Sequence, residues 1–566
     1  MDVRKRYEEW LNNPFFDEET HRELEAIADD PDEIQDRFYQ DLKFGTAGLR
    51  GKVGAGTNRM NRYIVARATE AFARTIVEDG EAAKKAGVVI ARDVRHKSDV
   101  FSRVAAEVFA AHGIHVYLFE EIQPTPLLSY AIRHLKAHGG LMITASHNPR
   151  EYNGYKAYGP EASQILEGLA DRILHHIDTI SDFSEVQSMP LEEGFTQGLI
   201  EWAPQSVIDA YLEKVLQLTI HDSDDRLDKL ISLVYTPLNG CGNKLVREVL
   251  KRRGFSNVHI VKEQENPDPD FSTVGYPNPE DPKAFARAIS LGKKVGADLL
   301  LATDPDSDRT AIEVKDAEGN YVFINGNRIG ALLVHYILSQ KKEKGILPEN
   351  GAVIKTIVTG DLTRAICRDY GVTTLDVLTG FKNIAAPIND WDKNGEHTFL
   401  FGFEESIGFN QGAFVRDKDA VSTAMTIVEM AAFYKKQGKS LLDVLEELYE
   451  TYGYYNECLV SVVLEGMDGQ ALIGRIMEDF RSNPITEIDG MKLVETVDYQ
   501  NDETGLPKSN VLKYRYDDKS WYALRPSGTE PKIKLYMYSV ANSKVKSEEK
   551  LKKMETVCRE RMDRVK

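Results

Sequence analysis

Only four cysteines, Cys241, Cys367, Cys458 and Cys558, occur in 566 residues, and none forms a Cys-x-x-Cys pair. That argues against a disulfide framework or a cysteine zinc site and fits reduced thiols in the cytoplasm. Basic residues are also short: 71 Lys and Arg against 89 Asp and Glu leave a net charge of -18. No nucleic-acid or membrane-surface partner is therefore expected, and an anionic small substrate would need a locally basic site. No membrane-length apolar run and no apolar signal core after Met1 occur, so neither a span nor secretion is expected. Low-complexity linkers are missing as well, which predicts closely packed domains. What is present is an ordinary globular composition, 42% hydrophobic and 28% charged, over a length that exceeds one core and predicts several domains.

Residues 1–40 are charged and helical in pattern and predict an N-terminal arm, docked by Trp10, Leu11, Phe15 and Phe16. A pattern then occurs three times. Residues 87–93 read as a strand entering a polar loop, a helix over about 99–112 ends at Gly113, residues 114–119 read as a second strand, and a third, 141–143, enters another loop. The order recurs at 232–235, a helix ending at Gly254, 258–261 and 298–302, and again at 352–354, a helix ending at Gly371, 372–375 and 397–401. Strands alternating with helices predict crossover units. From about residue 446 strands such as 458–463 mix with helices at about 469–481 and 543–563. The expected fold class is α/β: three similar α/β domains with mainly parallel mixed sheets, plus a C-terminal α+β domain. The boundaries expected are an arm to residue 40 and domains of 41–205, 206–320, 321–445 and 446–566.

Each third strand ends in an unusual loop, and three at matching places point to one shared cleft. In Thr144-Ala145-Ser146-His147-Asn148-Pro149 the proline forbids a regular continuation, so Ser146 sits at a strand end, where open α/β sheets place ligands. A hydrolase elbow would need Gly where Thr144 and Asn148 stand. Alone, the loop also reads as a turn whose Ser and Asn satisfy backbone groups. Asp304-Pro305-Asp306-Ser307-Asp308-Arg309 sets three carboxylates at alternate positions, a run that can curl round a hard cation. An EF-hand is excluded, because Arg309 stands where Gly is needed and Lys315 where the bidentate Glu belongs. The alternatives are a solvated acidic loop and a phosphatase aspartate.

Gly402-Phe403-Glu404-Glu405-Ser406-Ile407-Gly408 offers acceptors and donors suited to sugar hydroxyls, or else an acidic first turn of a helix. A fourth loop, Arg525-Pro526-Ser527-Gly528-Thr529-Glu530-Pro531-Lys532, has the guanidinium, hydroxyls and amides that suit a phosphate monoester, or a plain turn. Phe44-Gly45-Thr46-Ala47-Gly48-Leu49-Arg50-Gly51 fails the Walker pattern at Thr46 and Val53, although Arg50 can reach an anion.

Taken together, in order and over almost the full chain, these loops resemble the α-D-phosphohexomutase superfamily, and within it the phosphoglucomutases. The resemblance implies four domains round a central active-site cleft. It makes Ser146 the phosphorylated serine and Asp304, Asp306 and Asp308, with the serine's phosphate, the Mg²⁺ ligands. Glu404 and Ser406 become the sugar readers, and Arg525, Ser527, Gly528 and Thr529, with Lys532 beside them, the distal phosphate site. Arg50 matches the arginine after Gly-Thr-x-Gly-Leu, Thr379-Gly380-Phe381-Lys382 a further sugar segment, and Lys418 a lysine near the reacting hydroxyl. Phe403 departs from the glycine of many glucose enzymes and points to the branch holding bacterial phosphoglucomutases and phosphopentomutases.

The expected reaction joins α-D-glucose 1-phosphate and glucose 6-phosphate through phosphoserine 146, with glucose 1,6-bisphosphate as intermediate and activator. Mg²⁺ and Arg309 are expected to stabilise the transferring group, and Lys418 or His147 to exchange the hydroxyl proton. Rivals are a phosphopentomutase, a phosphomannomutase, a synthase charging the same serine, and a sugar-phosphate-binding regulator without turnover. The expected partner is a small sugar phosphate, and the expected state is a cytoplasmic monomer or weak homodimer.

Overall fold

Runs of Val, Ile, Leu and Ala too short for a helix become buried central strands. The computed structural model describes residues 2–45, 48–222, 225–464, 466–501, 504–527 and 532–565. The chain divides into two units, residues 1–326 with 385–438, and residues 327–384 with 439–566.

The first unit opens with helices Val3–Asn12, Glu18–Glu25 and Pro31–Phe38, whose first turns are capped by the side chains of Asp2, Asp17 and Asp30. Strands β1 (Leu49–Lys52), β2 (Val88–Arg92), β3 (Val116–Leu118), β4 (Gly139–Ile143), β5 (Tyr152–Tyr158) and β6 (Ile200–Trp202) form one sheet in the order β1-β5-β4-β2-β3-β6. Strands β7 (Leu233–Thr236), β8 (Val258–Ile260), β9 (Leu299–Thr303), β10 (Thr310–Lys315) and β11 (Tyr321–Ile324) form a second, β11-β10-β9-β7-β8. In the second unit β12 (Gly351–Thr356) pairs in parallel with β13 (Thr373–Val377), while in the first β14 (Thr398–Glu404) pairs antiparallel with β15 (Gly408–Asn410). The C-terminal part of the second unit is an antiparallel sheet, β16-β21-β20-β19-β18-β17. Its strands are β16 (Tyr454–Val463), β17 (Glu487–Ile488), β18 (Met491–Asp498), β19 (Leu512–Tyr516), β20 (Trp521–Pro526) and β21 (Lys532–Ala541). Helix Lys544–Val565 packs on it through Leu551, Met554, Cys558 and Met562.

The repeated strand–helix–strand order holds, and Gly113, Gly254 and Gly371 follow their helices at φ 70°, 77° and 70°, the left-handed stop that a Cβ resists. The sheets differ from a mainly parallel reading in one respect. After each site loop the chain returns antiparallel, so β4 pairs with β5, β9 with β10 and β14 with β15. The site loops are therefore hairpin turns, set in mixed sheets whose edges carry further antiparallel pairs, β1 with β5 and β10 with β11. Among the described residues no helix is long and apolar enough to cross a membrane, and all four cysteines are free.

The arm docks through Tyr7, Trp10, Phe16 and Phe38, with Trp10 stacked on Phe16 at 4.2 Å and meeting Tyr63 edge-on. Leu11 packs at the rim of that cluster, whereas Phe15 stays 44% exposed and anchors little. Trp10→Ala is expected to destabilise the fold by about 3–5 kcal/mol, the usual cost of emptying a large aromatic site. Phe15→Ala should cost a small fraction of that. Denaturant unfolding followed by circular dichroism measures both.

Candidate active site

Each of the three site hairpins in the first unit pivots on one non-glycine residue with left-handed backbone: Ser146 at φ 52°, Ser307 at 53° and Ile407 at 54°. Such a residue costs about 1–3 kcal/mol and persists only where its surroundings over-determine it. Around Ser146 they do. Its N–H donates to Thr144 Oγ1 at 2.8 Å, and that hydroxyl donates to buried Asp93 at 2.6 Å. The guanidinium of Arg95, paired with Asp93 at 3.2 Å, donates to the carbonyls of Ser146, Pro149 and Tyr152 at 2.6, 2.8 and 3.0 Å. On the other side Arg50, from β1, donates to Asn148 Oδ1 at 2.9 Å.

The Ser146 hydroxyl donates to Asp304 Oδ2 at 2.7 Å and lies 3.3 Å from His147 Nδ1. Asp304 Oδ1 accepts the N–H groups of Asp308 and Arg309, both at 3.0 Å, which curls the acidic loop back on itself. Ligand atoms of Asp304, Asp306 and Asp308 consequently lie within 4.8 Å of one another, all buried. Two of these carboxylates keep one oxygen each, Asp306 Oδ1 and Asp308 Oδ1, buried and without a hydrogen-bond donor among the described residues. Buried anionic oxygens in that state are costly unless a cation meets them. The donor set, all carboxylate oxygen, fits a hard divalent metal.

The remaining oxygens are held by cations. Lys156, on β5, pairs with Asp306 at 2.7 Å and Asp308 at 3.3 Å, and Lys418 pairs with Asp417 at 2.9 Å and Asp308 at 3.4 Å. Asp417 in turn accepts from Tyr158 at 2.6 Å. Thr125, at the first turn of helix Thr125–Leu135, grips Asp306 twice: its N–H reaches the backbone oxygen and its hydroxyl reaches Oδ2, both at 2.9 Å. Lys156, Thr125, Asp93 and Arg95 are not among the site residues expected from the sequence, which marks Asp93 only as part of a polar loop after a strand. A lysine between tyrosines on the strand leaving the Ser146 loop was a usable signal; Thr125 carried none.

Burial, then the charges of Asp306 and Asp308, pushes Asp304 well above the ordinary carboxylate range. Asp308 is held well below it, because Lys418, Lys156 and Arg309 together outweigh burial. Lys418 stays charged: burial disfavours its ammonium, but Asp308, Asp417 and Glu404 prevail. His147 is driven well below its usual value by burial, then by Arg309 and Arg50, so its imidazole is neutral at neutral pH. Glu404 is raised by burial against the pull of Lys418 and Arg309. Arg309 ties two loops together by donating to the Ser406 carbonyl at 2.6 Å. Gly408 cannot carry a side chain, since a Cβ there would lie 2.3 Å from Lys418 Cδ. Phe403 is fully buried and stacks on Phe409, rings 6.3 Å apart, so it packs beneath the loop instead of lining it.

Arg50, Ser146, His147, Asp304, Asp306, Asp308, Arg309, Glu404, Ser406 and Lys418 thus belong to the first unit, and Thr379, Gly380, Lys382, Arg525, Ser527 and Lys532 to the second. There Gly380 turns at φ 103° and Asn383 donates to the Thr379 carbonyl at 2.9 Å. Arg525 lies on β20 opposite Lys534, and Ser527 N–H donates to the Lys532 carbonyl at 2.8 Å, closing a hairpin loop. Gly528 and Thr529, with Glu530 and Pro531, lie outside the described residues, as do Thr46 and Ala47.

Comparison with known proteins agrees with this architecture. Three domain families match: phosphoglucomutase/phosphomannomutase alpha/beta/alpha domain I over residues 41–183, domain II over 209–319 and domain III over 325–452. A phosphoglucomutase of Staphylococcus epidermidis is 40% identical over 521 residues, covering 89% of this chain and 92% of its own. One from Staphylococcus aureus is 39% identical over 518 residues, covering 89% and 91%. Two solved structures show the same fold. One is a phosphoglucomutase/phosphomannomutase family protein of Burkholderia thailandensis, with a TM-score of 0.67 at 18% identity over 92% of this chain and 97% of that one. The other is parafusin, a phosphoglucomutase of Paramecium in its open form, at 0.69 and 16% over 93% and 95%. The chain belongs to the phosphoglucomutase/phosphomannomutase family of the α-D-phosphohexomutase superfamily and is an isomerase.

Thr125 and Lys156 leave Asp306 only one orientation for its free oxygen. Thr125→Val, which keeps the shape and removes the donor, is expected to weaken divalent-cation affinity about 10- to 100-fold, as loss of a ligand-orienting contact does. Calorimetric titration with Mg²⁺ and Mn²⁺ reads it; unchanged affinity would mean that Lys156 orients Asp306 unaided.

Proposed function

We propose that this protein interconverts α-D-glucose 1-phosphate and glucose 6-phosphate through a phosphoserine at Ser146 and a glucose 1,6-bisphosphate intermediate. The observation that carries this reading is the Ser146 hydroxyl 2.7 Å from Asp304, at the edge of a buried aspartate cluster with two undonated oxygens. A serine so placed can carry a phosphoryl group whose oxygens add to those of the cluster. Asp304, Asp306, Asp308 and an oxygen of the phosphoserine would hold Mg²⁺, which when bound would neutralise charge on the transferring group. The named relatives, about two-fifths identical over most of the chain, support glucose as the sugar.

Ser146 gives its phosphoryl group to the free hydroxyl of the sugar monophosphate. The bisphosphate turns over, and its other phosphoryl group returns to the serine. Neutral His147 takes the proton of the sugar hydroxyl as it attacks and passes it to the serine oxygen as that leaves; on rephosphorylation it takes the serine proton and passes it to the departing sugar oxygen. Charged Lys418 and Arg309 stabilise the transferring oxygens. Arg50, Thr379, Gly380, Lys382, Glu404 and Ser406 bind the sugar phosphate, and Arg525, Ser527, Gly528, Thr529 and Lys532 hold the phosphate that is not reacting. The division into an arm to residue 40 and domains of 41–205, 206–320, 321–445 and 446–566 belongs to the same proposal, as do cytoplasmic location and action as a monomer or weak homodimer. Since Phe403 packs in the core, it gives no reason to prefer a pentose. Side-by-side kinetics with glucose, mannose and ribose 1-phosphates test the sugar.

Ser146→Ala is expected to abolish turnover while leaving the fold intact, because a methyl group cannot carry phosphate. Mass spectrometry of the parent protein should find one phosphoryl group, at Ser146. An alanine variant with more than trace activity would reject the mechanism.

Arg525→Ala is expected to weaken catalysis in both directions. The substrate presents its non-reacting phosphate in two orientations, and one guanidinium can serve both. A lost charged hydrogen bond is worth roughly 1.5–3 kcal/mol, which is on the order of tenfold or more in kcat/KM. The variant should also lose bisphosphate more often and depend on added bisphosphate. An effect on one direction alone, after allowance for the equilibrium constant, would move the distal site elsewhere.

A further inference from the structure

We propose that the N-terminal arm is a working part of the reaction centre: Glu23 and Arg37 grip a glycine-flanked turn and so set Arg50, which orients the loop of Ser146. The inference rests on the phosphoserine reading of that loop. Ala55 is held by both of its backbone groups. Its N–H donates to Glu23 Oε2 at 3.1 Å, and its carbonyl accepts from Arg37 Nη1 at 3.1 Å. Arg37 and Glu23 are paired with each other, and Arg37 Nε donates to Glu33 at 2.8 Å. The flanking residues are Gly54 and Gly56, at φ 153° and 130°. A Cβ on Gly54 would lie 2.7 Å from Glu23 Oε1, and one on Gly56 2.9 Å from Arg37 Cβ, so the turn lacks side chains where the arm presses. Arg59, buried, closes the clamp by donating to Asp36 Oδ2 at 2.7 Å.

From this turn the connection to the site is short. Gly54 N–H donates to Met60 and Met60 N–H to Lys52, at 3.1 and 2.8 Å, while Val53 N–H donates to Glu151 at 2.7 Å. Arg50 stands on β1 opposite Gly154 of β5 and donates to Asn148, two residues from Ser146. An arm that merely covered apolar surface would need the cluster around Trp10 but no ionic clamp on a glycine turn. Glu23 and Arg37 are positioning residues, acting through Arg50.

The test is a mutant cycle in the full-length enzyme with Arg37→Ala, Arg50→Ala and the pair together. Arg37→Ala is expected to lower kcat about 10- to 100-fold, the scale of a small misplacement, with KM rising no further than in Arg50→Ala. It should add nothing in the Arg50→Ala background, since residues acting through one another do not add. Arg37→Lys should restore only part, because an ammonium cannot meet Glu23, Glu33 and Ala55 together. Amide hydrogen exchange over 50–56 and 144–152 should rise in Arg37→Ala without substrate, a readout that stands even if Ser146→Ala shows the phosphoserine reading to be wrong. Should Arg37→Ala not fold, Glu23→Gln carries the same readouts with less change of shape. Unchanged exchange, raised exchange with unchanged kcat, or losses that multiply with those of Arg50→Ala would each overturn the proposal.

Discussion

Like charge held out of water is the constraint on which the first unit is built. Two carboxylates about 4 Å apart repel by about 4 kcal/mol at the effective dielectric of a protein site. Ligand atoms of Asp304, Asp306 and Asp308 lie within 4.8 Å of one another and all three residues are buried, so they stand only because other charges reach them. Those charges come from elsewhere in the chain. Lys156 arrives on the strand leaving the Ser146 turn, Lys418 from the segment after the Glu404 turn, and Arg309 crosses to the Ser406 carbonyl. Charge balance therefore couples three loops that lie far apart in the chain. None can be assembled without the others.

Hairpin turns make that coupling sharp. A crossover connection would let each loop wander; an antiparallel return pins both ends in register, as Thr303 opposite Thr310 and Glu404 opposite Gly408 show. The left-handed residue at each turn is the cost of so tight a bend, offset locally by the Thr144, Asp93 and Arg95 contacts around Ser146. Held this way, Ser146 Oγ lies 2.7 Å from Asp304, the kind of preorganisation that group transfer needs.

How much of this could be read from the sequence follows from how local each signal is. The repeated strands and their glycine stops were legible, since side-chain period and left-handed caps are set within a few residues. Ser146 and the three aspartates stood out because polar residues crowd short loops, whereas Lys418 was reached only through the family resemblance. The return strands were not: Tyr152–Tyr158 mixes Asn153 and Lys156 with tyrosines, so it lacks the apolar run that marked β4. Nor was Lys156 as a partner of Asp306, 150 residues away, or Arg95, whose acceptors are backbone carbonyls that look alike in every sequence. Phe403 points to the branch with the bacterial phosphoglucomutases, as the Staphylococcus relatives bear out, but where its side chain lies was not legible. Its place in a loop motif drew attention to the sugar, whereas strand alternation turns its ring into the core beside Phe401 and Phe409.

Buried charge alone does not mark a reaction centre, and the second unit supplies the contrast. Lys355 and Lys513 are both wholly buried there. Lys355 pairs with Asp361 at 3.0 Å and Asp376 at 3.1 Å, and Arg364 reaches the same two carboxylates at 3.3 and 2.6 Å. Lys513 donates to the Ile357 carbonyl at 2.6 Å and lies 3.7 Å from the Trp521 ring centre; its amine is pushed down to about 7, by burial first and then by Lys355 and Arg515 against the pull of Asp361. In that network Asp376 Oδ1 too is buried without a hydrogen-bond donor among the described residues, but it lies 3.1 Å from the Lys355 ammonium, and cations match or exceed carboxylates, so the network has no call for a further cation and serves to fix strands and turns. In the first unit three aspartates, Asp417 and Glu404 face Lys156, Lys418 and Arg309, and two carboxylate oxygens keep no hydrogen-bond donor among the described residues, although Arg309 Nε lies 3.7 Å from one of them, Asp308 Oδ1. A surplus of negative charge with undonated oxygens is what a divalent ion would relieve. It is this imbalance, more than burial or perturbed protonation, that separates a site built to receive something from one that is already complete.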